Sequence, residues 1–246
     1  VVEMSVSITY RGRLGNNIVT YLMAQYLAHK NDLVFENSLP ENIDSDFIVN
    51  RISGKKTYDN FVEIVDANVL YYINTPIQSN IHVNDYFQWK EIFEQEDVVN
   101  KYKTYIIPKP IETNCDLFVG VRLGDIKNVV SLPFEYYSET IEKIDFKNGV
   151  ISSDSPNDEI VLRLMEKYNL KLFHGSPSYT IRYASQCKNI VLSSGTFCFL
   201  QGFFSNNSKV YFIDDNTMEK EFGVRRWTGG MFNAFLNTQG WIPFKK

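Results

Sequence analysis

Arginine and glycine alternate in "YRGRLGNN", Tyr10 to Asn17, directly after the strand-like "EMSVSIT" and before the helix-like "IVTYLMAQYLA". Glycine lets backbone amides approach a ligand, and a neighbouring Arg11 or Arg13 supplies positive charge, so the stretch is suited to cradling an anion. Its spacing is G-x-x-G (Gly12, Gly15) rather than G-x-G-x-x-G or G-x-x-x-x-G-K-[ST], which removes the dinucleotide and P-loop readings. The alternative is a strand-to-helix corner with Asn16 as the helix cap. Whichever holds, Ile18, Val19, Leu22, Met23, Tyr26 and Leu27 form a stripe that assigns the following helix to the core.

Other residue types that carry chemistry are scattered. The acidic pairs Asp44/Asp46 in "IDSD" and Asp214/Asp215 in "YFIDDN" have the D-x-D look of a metal-dependent sugar transferase, or that of solvated turns. His29, His82 and His174 have no metal-ligand spacing. Cys115, Cys187 and Cys198 are odd in number and lack C-x-x-C spacing, which argues against a disulfide scaffold or zinc knuckle and for a reducing compartment.

These residues must be positioned by a chain of 246 residues, 44% hydrophobic, enough for one large core or two small ones. A net charge of -4 gives no global positive field, so no nucleic-acid partner is expected and any anion site must be local. No apolar run of about 18 residues and no basic-then-apolar leader is seen, so we expect no membrane span and a soluble, cytoplasmic protein. The first residue is Val rather than Met, which suggests part of a longer polypeptide.

From Cys115 onward, "CDLFVGVRL", "NGVISS", "LKLFHG", "NIVLSS" and "KVYFID" read as strands separated by helix-like segments. That succession predicts a parallel sheet with ligands beyond the strand carboxyl ends. Asp158 to Tyr168 puts Val161, Leu164, Met165 and Tyr168 on one stripe facing that sheet. The N-terminal half opens with the same strand-loop-helix-strand unit and then blurs through "NSLPENIDSDFIVNRISGKKTYDN", read as irregular surface. "NVLYYI" and "NIHVNDYFQ" then read as strands, and a helix follows from Trp89. The proline-bearing "IIPKPIETN", residues 106–114, is the expected hinge, giving domains 1–110 and 111–246.

Several stretches, in order, carry a resemblance. "GRLGNNIVTYLMAQYLA" resembles the G-G-L-G-N-Q-x-F-Q-Y-A opening of the α-1,2-fucosyltransferases and their bacterial relatives. "HVNDYFQWKEIFEQ" is similar to G-Y-[FW]-Q-S-E-K-Y-F, "FVGVRLGDI" to H-x-R-R-G-D, and "SLPFEYYSETI" to L-P-x-x-Y-Y-x-x-A-I. "GVISSDSPND" stands where that family has F-S-D-D, and "YASQCKNIVLSSGTFCFLQGFFS" where it has M-S-x-C-x-H-N-I-x-x-N-S-[ST]-F-S-W-W-G. "WTGGMF" resembles the closing W-x-G-x-M-F of distant relatives. Gly120 replaces the family histidine, Leu123 its second arginine, and Phe199 and Leu200 its tryptophan pair.

The resemblance implies an α/β, GT-B-like architecture of two Rossmann-like domains facing a cleft, with donor on the C-terminal domain and acceptor facing the N-terminal one. It implies an inverting, metal-independent glycosyltransferase that needs no cofactor. The sugar, fucose or another deoxyhexose, would pass from a nucleoside-diphosphate donor, GDP favoured, to a glycan hydroxyl. A catalytically inactive nucleotide or glycan binder is the reading favoured by the replaced motif residues, and an NAD oxidoreductase is disfavoured by the missing fingerprint.

Expulsion of a nucleoside diphosphate through an oxocarbenium-like state needs countercharge. Arg122, matching the first motif arginine at a strand end, would supply it as a planar fork. Ser194, Gly195 and Thr196 would hold phosphate oxygens at a strand-to-helix turn, and Arg13, Gly15 and Asn16 would close on the donor or acceptor from the N-terminal side. Asp125 would orient Arg122 or cap its turn. Asp154 would accept hydrogen bonds from nucleobase or ribose, or cap a helix ahead of Pro156. For the general base, Asp85, Glu36 and Asp125 stay open. Trp89 and Trp227 are the aromatic candidates for stacking on a sugar.

Overall fold

The computed structural model describes residues 4–35, 39–40, 43–50, 60–127, 130–224 and 230–246. Glu36, Trp227 and the first half of "WTGGMF" lie outside them. The chain divides into two compact units, Val1–Lys109 and Pro110–Lys246. Both are α/β with parallel, Rossmann-like sheets.

In the first unit the elements are β1 (Ser5–Ile8), α1 (Leu14–Lys30), β2 (Val34–Phe35), α2 (Ile43–Asp46), β3 (Phe47–Val49), β4 (Phe61–Ile64), α3 (Val69–Asn74), β5 (Asn80–Val83), α4 (Lys90–Phe93), α5 (Glu96–Tyr105) and β6 (Ile106–Pro108). The sheet order is β2-β1-β5-β4, every pair parallel. α1 is buried along both sides of its predicted stripe, from Ile18 to Ala28, which fits a helix pressed between the sheet and α5 rather than one lying on the surface.

Three expectations for this unit change. "NVLYYI" is the helix α3, not a strand, because Asn68 closes a turn on Val65 in both directions: its amide donates to the Val65 carbonyl (3.0 Å) and its Oδ1 accepts from the Val65 amide (2.9 Å). Val69 and Ile73 then bury at i, i+4 while Tyr71 faces out, a helical period hidden in a short apolar run. The stretch read as irregular surface contains α2 and β3, and the expected hinge contains β6, which pairs antiparallel with β3. Asn16 is not the cap of α1: the helix starts earlier, Arg13 occupies the cap position, and Asn16 lies in the first turn.

The second unit holds β7 (Leu117–Val121), α6 (Phe134–Ile141), β8 (Gly149–Ser153), α7 (Glu159–Tyr168), β9 (Lys171–Leu172), α8 (Pro177–Ala184), β10 (Asn189–Val191), α9 (Thr196–Phe203), β11 (Lys209–Phe212), α10 (Asp215–Phe222) and β12 (Trp241–Pro243). The expected parallel series is present, extended by the unforeseen edge strand β12. Sheet order is β12-β11-β10-β7-β8-β9, all parallel. Counting strands from β7, this is the doubly wound order 3-2-1-4-5-6, which reverses direction between β7 and β10. β7 is buried at every position, as a strand covered by helices on both faces must be. Val119, Val121, Val161 and Leu164 share one core with Tyr136 and Tyr137, which places α6 and α7 on that face. Phe118 packs on the other face against Phe173 and Tyr183, beneath α8.

Among the described residues no helix is long and apolar enough to cross a membrane.

Candidate functional site

The reversal between β7 and β10 leaves a crevice at the carboxyl ends of those strands, where doubly wound sheets bind ligands. Arg122 follows β7 directly. Its guanidinium pairs with Asp154, which follows β8, and with Asp125 in the 3-10 turn Gly124–Ile126. Asp154 also accepts the Leu123 amide (2.9 Å), and the Gly124 amide donates to Ser155 Oγ (3.2 Å), so the loop after β8 grips the loop after β7 at several points. Asp154 is therefore not a helix cap. That role belongs to Asp158, whose Oδ1 accepts from the Ile160 amide (3.1 Å) while Oδ2 pairs with Lys127. Lys127 holds the Asp158 carboxyl below its ordinary value, foremost by this hydrogen bond.

Gly124 has φ +24, and a side chain there would run into the Asp154 carboxylate and come within 3.1 Å of Arg122 Nη1. The glycine is thus required by the ion pair beneath it.

Across the switch point, β10 leads into α9 through Ser193, Ser194 and Gly195. Gly195 occupies the cap position with φ 97, and nothing lies within 4 Å of where its Cβ would be. No side-chain cap bond and no acidic residue serve the first turn of α9. Its leading amides have no intrahelical acceptor, and the helix dipole adds positive potential there. Thr196 is buried at the first helical position. Ser194 is buried and its hydroxyl donates to the Val130 carbonyl (3.0 Å), so what it offers a ligand is backbone rather than hydroxyl. Tyr136 and Tyr137 brace the same turn through the Leu192 carbonyl (2.7 Å) and Ser193 Oγ (2.8 Å). The structure thus brings together Arg122, Asp125, Asp154 and the 194–196 turn on one strand-end crevice.

The other expected residues belong to the first unit. There β1 continues to β2 on one side and pairs with β5 on the other, and the carboxyl ends of β1, β4 and β5 gather Thr9–Asn16, Val65–Asn68 and Asn84–Gln88. Gly12, with φ 73, makes the turn; Gly15 is buried inside α1. Arg13 is exposed in extended backbone, whereas Arg11 Nε donates to Asn84 Oδ1 (3.0 Å). Asn16 Oδ1 accepts from Gln88 Nε2 (2.9 Å), tying the helix start to the "NDYFQ" loop. Thr20 Oγ1 adds a second tie to the Asp85 carbonyl (2.9 Å).

Asp85 sits against a carboxylate that sequence reading did not single out. Its Oδ2 accepts the Asp66 amide (3.1 Å) and its Oδ1 the Tyr86 amide (3.0 Å). Asp66 in turn accepts the amide of Phe87 (2.9 Å), a residue held at φ 53. Burial first, then the Asp85 charge and a hydrogen bond between the two carboxyls, raise the Asp66 pKa above 3.8, although the Phe87 amide and the Trp89 side chain oppose the shift. A carboxyl whose pKa is raised by burial and by a neighbouring carboxylate is suited to take and release a proton. The signal available for Asp66 was position alone: it ends a strand in "FVEIVDAN".

The D-x-D candidates have structural duties. Asp214 caps α10 by accepting the Thr217 amide (3.0 Å), Asp215 contacts Asn233, and Asp46 is buried beside Ser45. Among the described residues no group of three or more His, Cys, Asp and Glu is placed to hold a metal ion. His82 bridges Ser7 Oγ (2.8 Å) and Thr9 Oγ1 (3.1 Å), and His29 meets Lys101 (3.1 Å).

No family model matches the chain, and no curated protein matches it in sequence.

Proposed function

We propose that the protein is an inverting glycosyltransferase that moves a sugar from a nucleoside-diphosphate donor to a glycan hydroxyl without a metal. The observation that carries this reading is the Arg122 guanidinium, fixed by Asp154 at the switch point of a doubly wound sheet beside the open first turn of α9. The ordered likeness to the α-1,2-fucosyltransferase motifs supports it, and it favours a GDP-sugar bearing fucose or another deoxyhexose.

In this reading the donor phosphates lie between Arg122 and the amides of Gly195 and Thr196. Asp154, with 27% of its side chain exposed, keeps Arg122 in place, while Asp125, with 57% exposed, gives way to the phosphate. The transfer also needs a group to take the hydroxyl proton, and within the first unit the Asp66–Asp85 pair, with Trp89 exposed nearby, has the chemistry for that role. The acceptor oxygen then bonds to the anomeric carbon as the bond to the β-phosphate oxygen breaks, and that oxygen leaves with the electron pair under the Arg122 charge.

The test is a thermal-shift and calorimetric panel of GDP, UDP, CMP and NAD on wild type and Arg122→Ala. Stabilisation by a nucleoside diphosphate that Arg122→Ala abolishes supports the reading, and an EDTA-insensitive transfer in a donor screen completes it. Failure of every nucleoside diphosphate to bind would sink it.

A further inference from the structure

Beside the proposed phosphate site, the α8–α9 face of the second sheet carries a buried polar atom with no hydrogen-bond partner among the described residues. Strand register aligns Gly120 of β7 with Ser152 of β8, and the Phe173 amide bonds to the Ile151 carbonyl (2.8 Å), setting Phe173 next to Ser152. These positions share a face with Phe118, whose ring lies 6.1 Å from that of Phe173. Gly120 and Ser152 each stand two positions before a member of the Arg122–Asp154 pair, so this face runs directly into the proposed phosphate site.

Gln201 of α9 lies over Gly120. A Cβ at Gly120 would sit 2.5 Å from Gln201 Oε1, so the glycine is what admits the carboxamide. Gln201 is 1% exposed, and its Oε1 has no hydrogen-bond partner among the described residues. Withholding an amide oxygen from water without a donor is destabilising. Its helix neighbours Phe199, Leu200 and Phe203 are all buried and apolar, so packing alone would be met by an apolar side chain here too. The described residues therefore leave this amide oxygen without the donor that its burial calls for. Ser152, the register partner of Gly120, is half-buried.

We propose that Gln201 reads the base of the nucleoside diphosphate, its carboxamide bonding to the heterocycle's edge while Phe173 forms the apolar wall. A carboxamide presents acceptor and donor side by side, the complement of the N–H and C=O edge of guanine or uracil. Phe173 is half-buried and stacked on Tyr179 (5.9 Å, 19°), which fixes its ring. Phe173 lies two strands from Gly120, about 10 Å at ~4.8 Å per strand, a span that accommodates a base over Ser152. The inference rests on the assignment of this edge to a nucleoside diphosphate and adds what selects the base.

Calorimetry of wild type, Gln201→Leu, Gln201→Met and Arg122→Ala against GDP, UDP, ADP and inorganic pyrophosphate tests it. The expected result is that removing the carboxamide weakens the preferred nucleoside diphosphate about tenfold or more and leaves pyrophosphate unchanged, with no loss of melting temperature, whereas Arg122→Ala weakens both. Unchanged nucleotide affinity in the Gln201 variants would assign the amide a bound water only and overturn the inference while leaving the Arg122 assignment standing. Equal loss of pyrophosphate binding, or failure of both Gln201 variants to fold, would overturn it as well. A wild-type protein that binds none of the nucleotides would overturn both assignments.

Discussion

The Asp154 carboxylate holds Arg122 from the neighbouring strand end, pairing with its guanidinium while accepting the amide of Leu123 (2.9 Å) from the same loop. One side chain thus fixes both the backbone and the charged group of the β7 loop. Asp125 pairs with the same guanidinium from within the 3-10 turn and is the more exposed of the two, 57% of its side chain against 27%. The two carboxylates should therefore act in opposite directions on an anion.

Asp154→Asn is expected to weaken binding of a nucleoside diphosphate by about 10- to 100-fold, about 1.4–2.8 kcal/mol, because the fork loses its anchor. Asp125→Asn should tighten it, because a competing anion is removed while the fork stays in place. Calorimetry with GDP and UDP at fixed salt measures both. Parallel weakening by the two variants would show that the carboxylates serve as one structural unit.

Gly124→Ala should cost on the order of 1–3 kcal/mol in urea unfolding, since it places a side chain at φ +24 against the Asp154 carboxylate. Nucleotide affinity should fall with it, because relief of the clash displaces the ion pair. An alanine variant with wild-type stability and affinity would remove the argument that this turn is built around the pair.

Much of the second unit was legible because its strands are apolar runs separated by amphipathic helices, and a parallel sheet has few other ways to bury them. Arg122 could be placed at a strand end for the same reason. What the residues could not reveal was pairing across loops: whether Asp154 caps a helix or holds Arg122 depends on where β8 lies, and Asp158 is an equally good cap in sequence. In the first unit, "NVLYYI" misled because a short apolar run has no period of its own, and the four-residue turn from Val65 to Asn68 decided it. Asp66 was invisible for a related reason, since its partner is Asp85, distant in sequence and brought near by the pairing of β4 with β5.

Asp116 supplies a control at the opposite end of the second sheet. It accepts Lys188 Nζ (2.7 Å) and the amides of Lys147 (3.1 Å) and Asn148 (3.0 Å), which hold its carboxyl down at about 2. The folded pKa lies below the unfolded one, so its stabilisation is present above about 3.8 and is lost as pH falls through about 2. Asp116→Asn should lower the melting temperature at pH 7, converge with wild type at the acid end, and leave nucleotide affinity unchanged. A loss of affinity at constant stability would contradict the separation of the two ends.

Asp66 should show the reverse dependence. Burial, and then the charge of Asp85, raise its folded pKa above 3.8, so the folded protein binds the proton more tightly than the unfolded chain. The contribution to stability is complete below 3.8 and declines as pH rises through the folded value. Asp66→Asn removes that titration, and the decline should disappear from a pH series of urea unfolding. If the pair also takes the acceptor proton, the same variant should lower kcat by about 10²–10⁴-fold and erase the acid limb of the rate profile that sits at the raised pKa. Asp85→Asn should move that limb toward the ordinary carboxylate range, since it removes the like charge that helps hold the proton on Asp66. A limb that stays in place in both variants would assign the base to another group, while the stability series would still report on the pair.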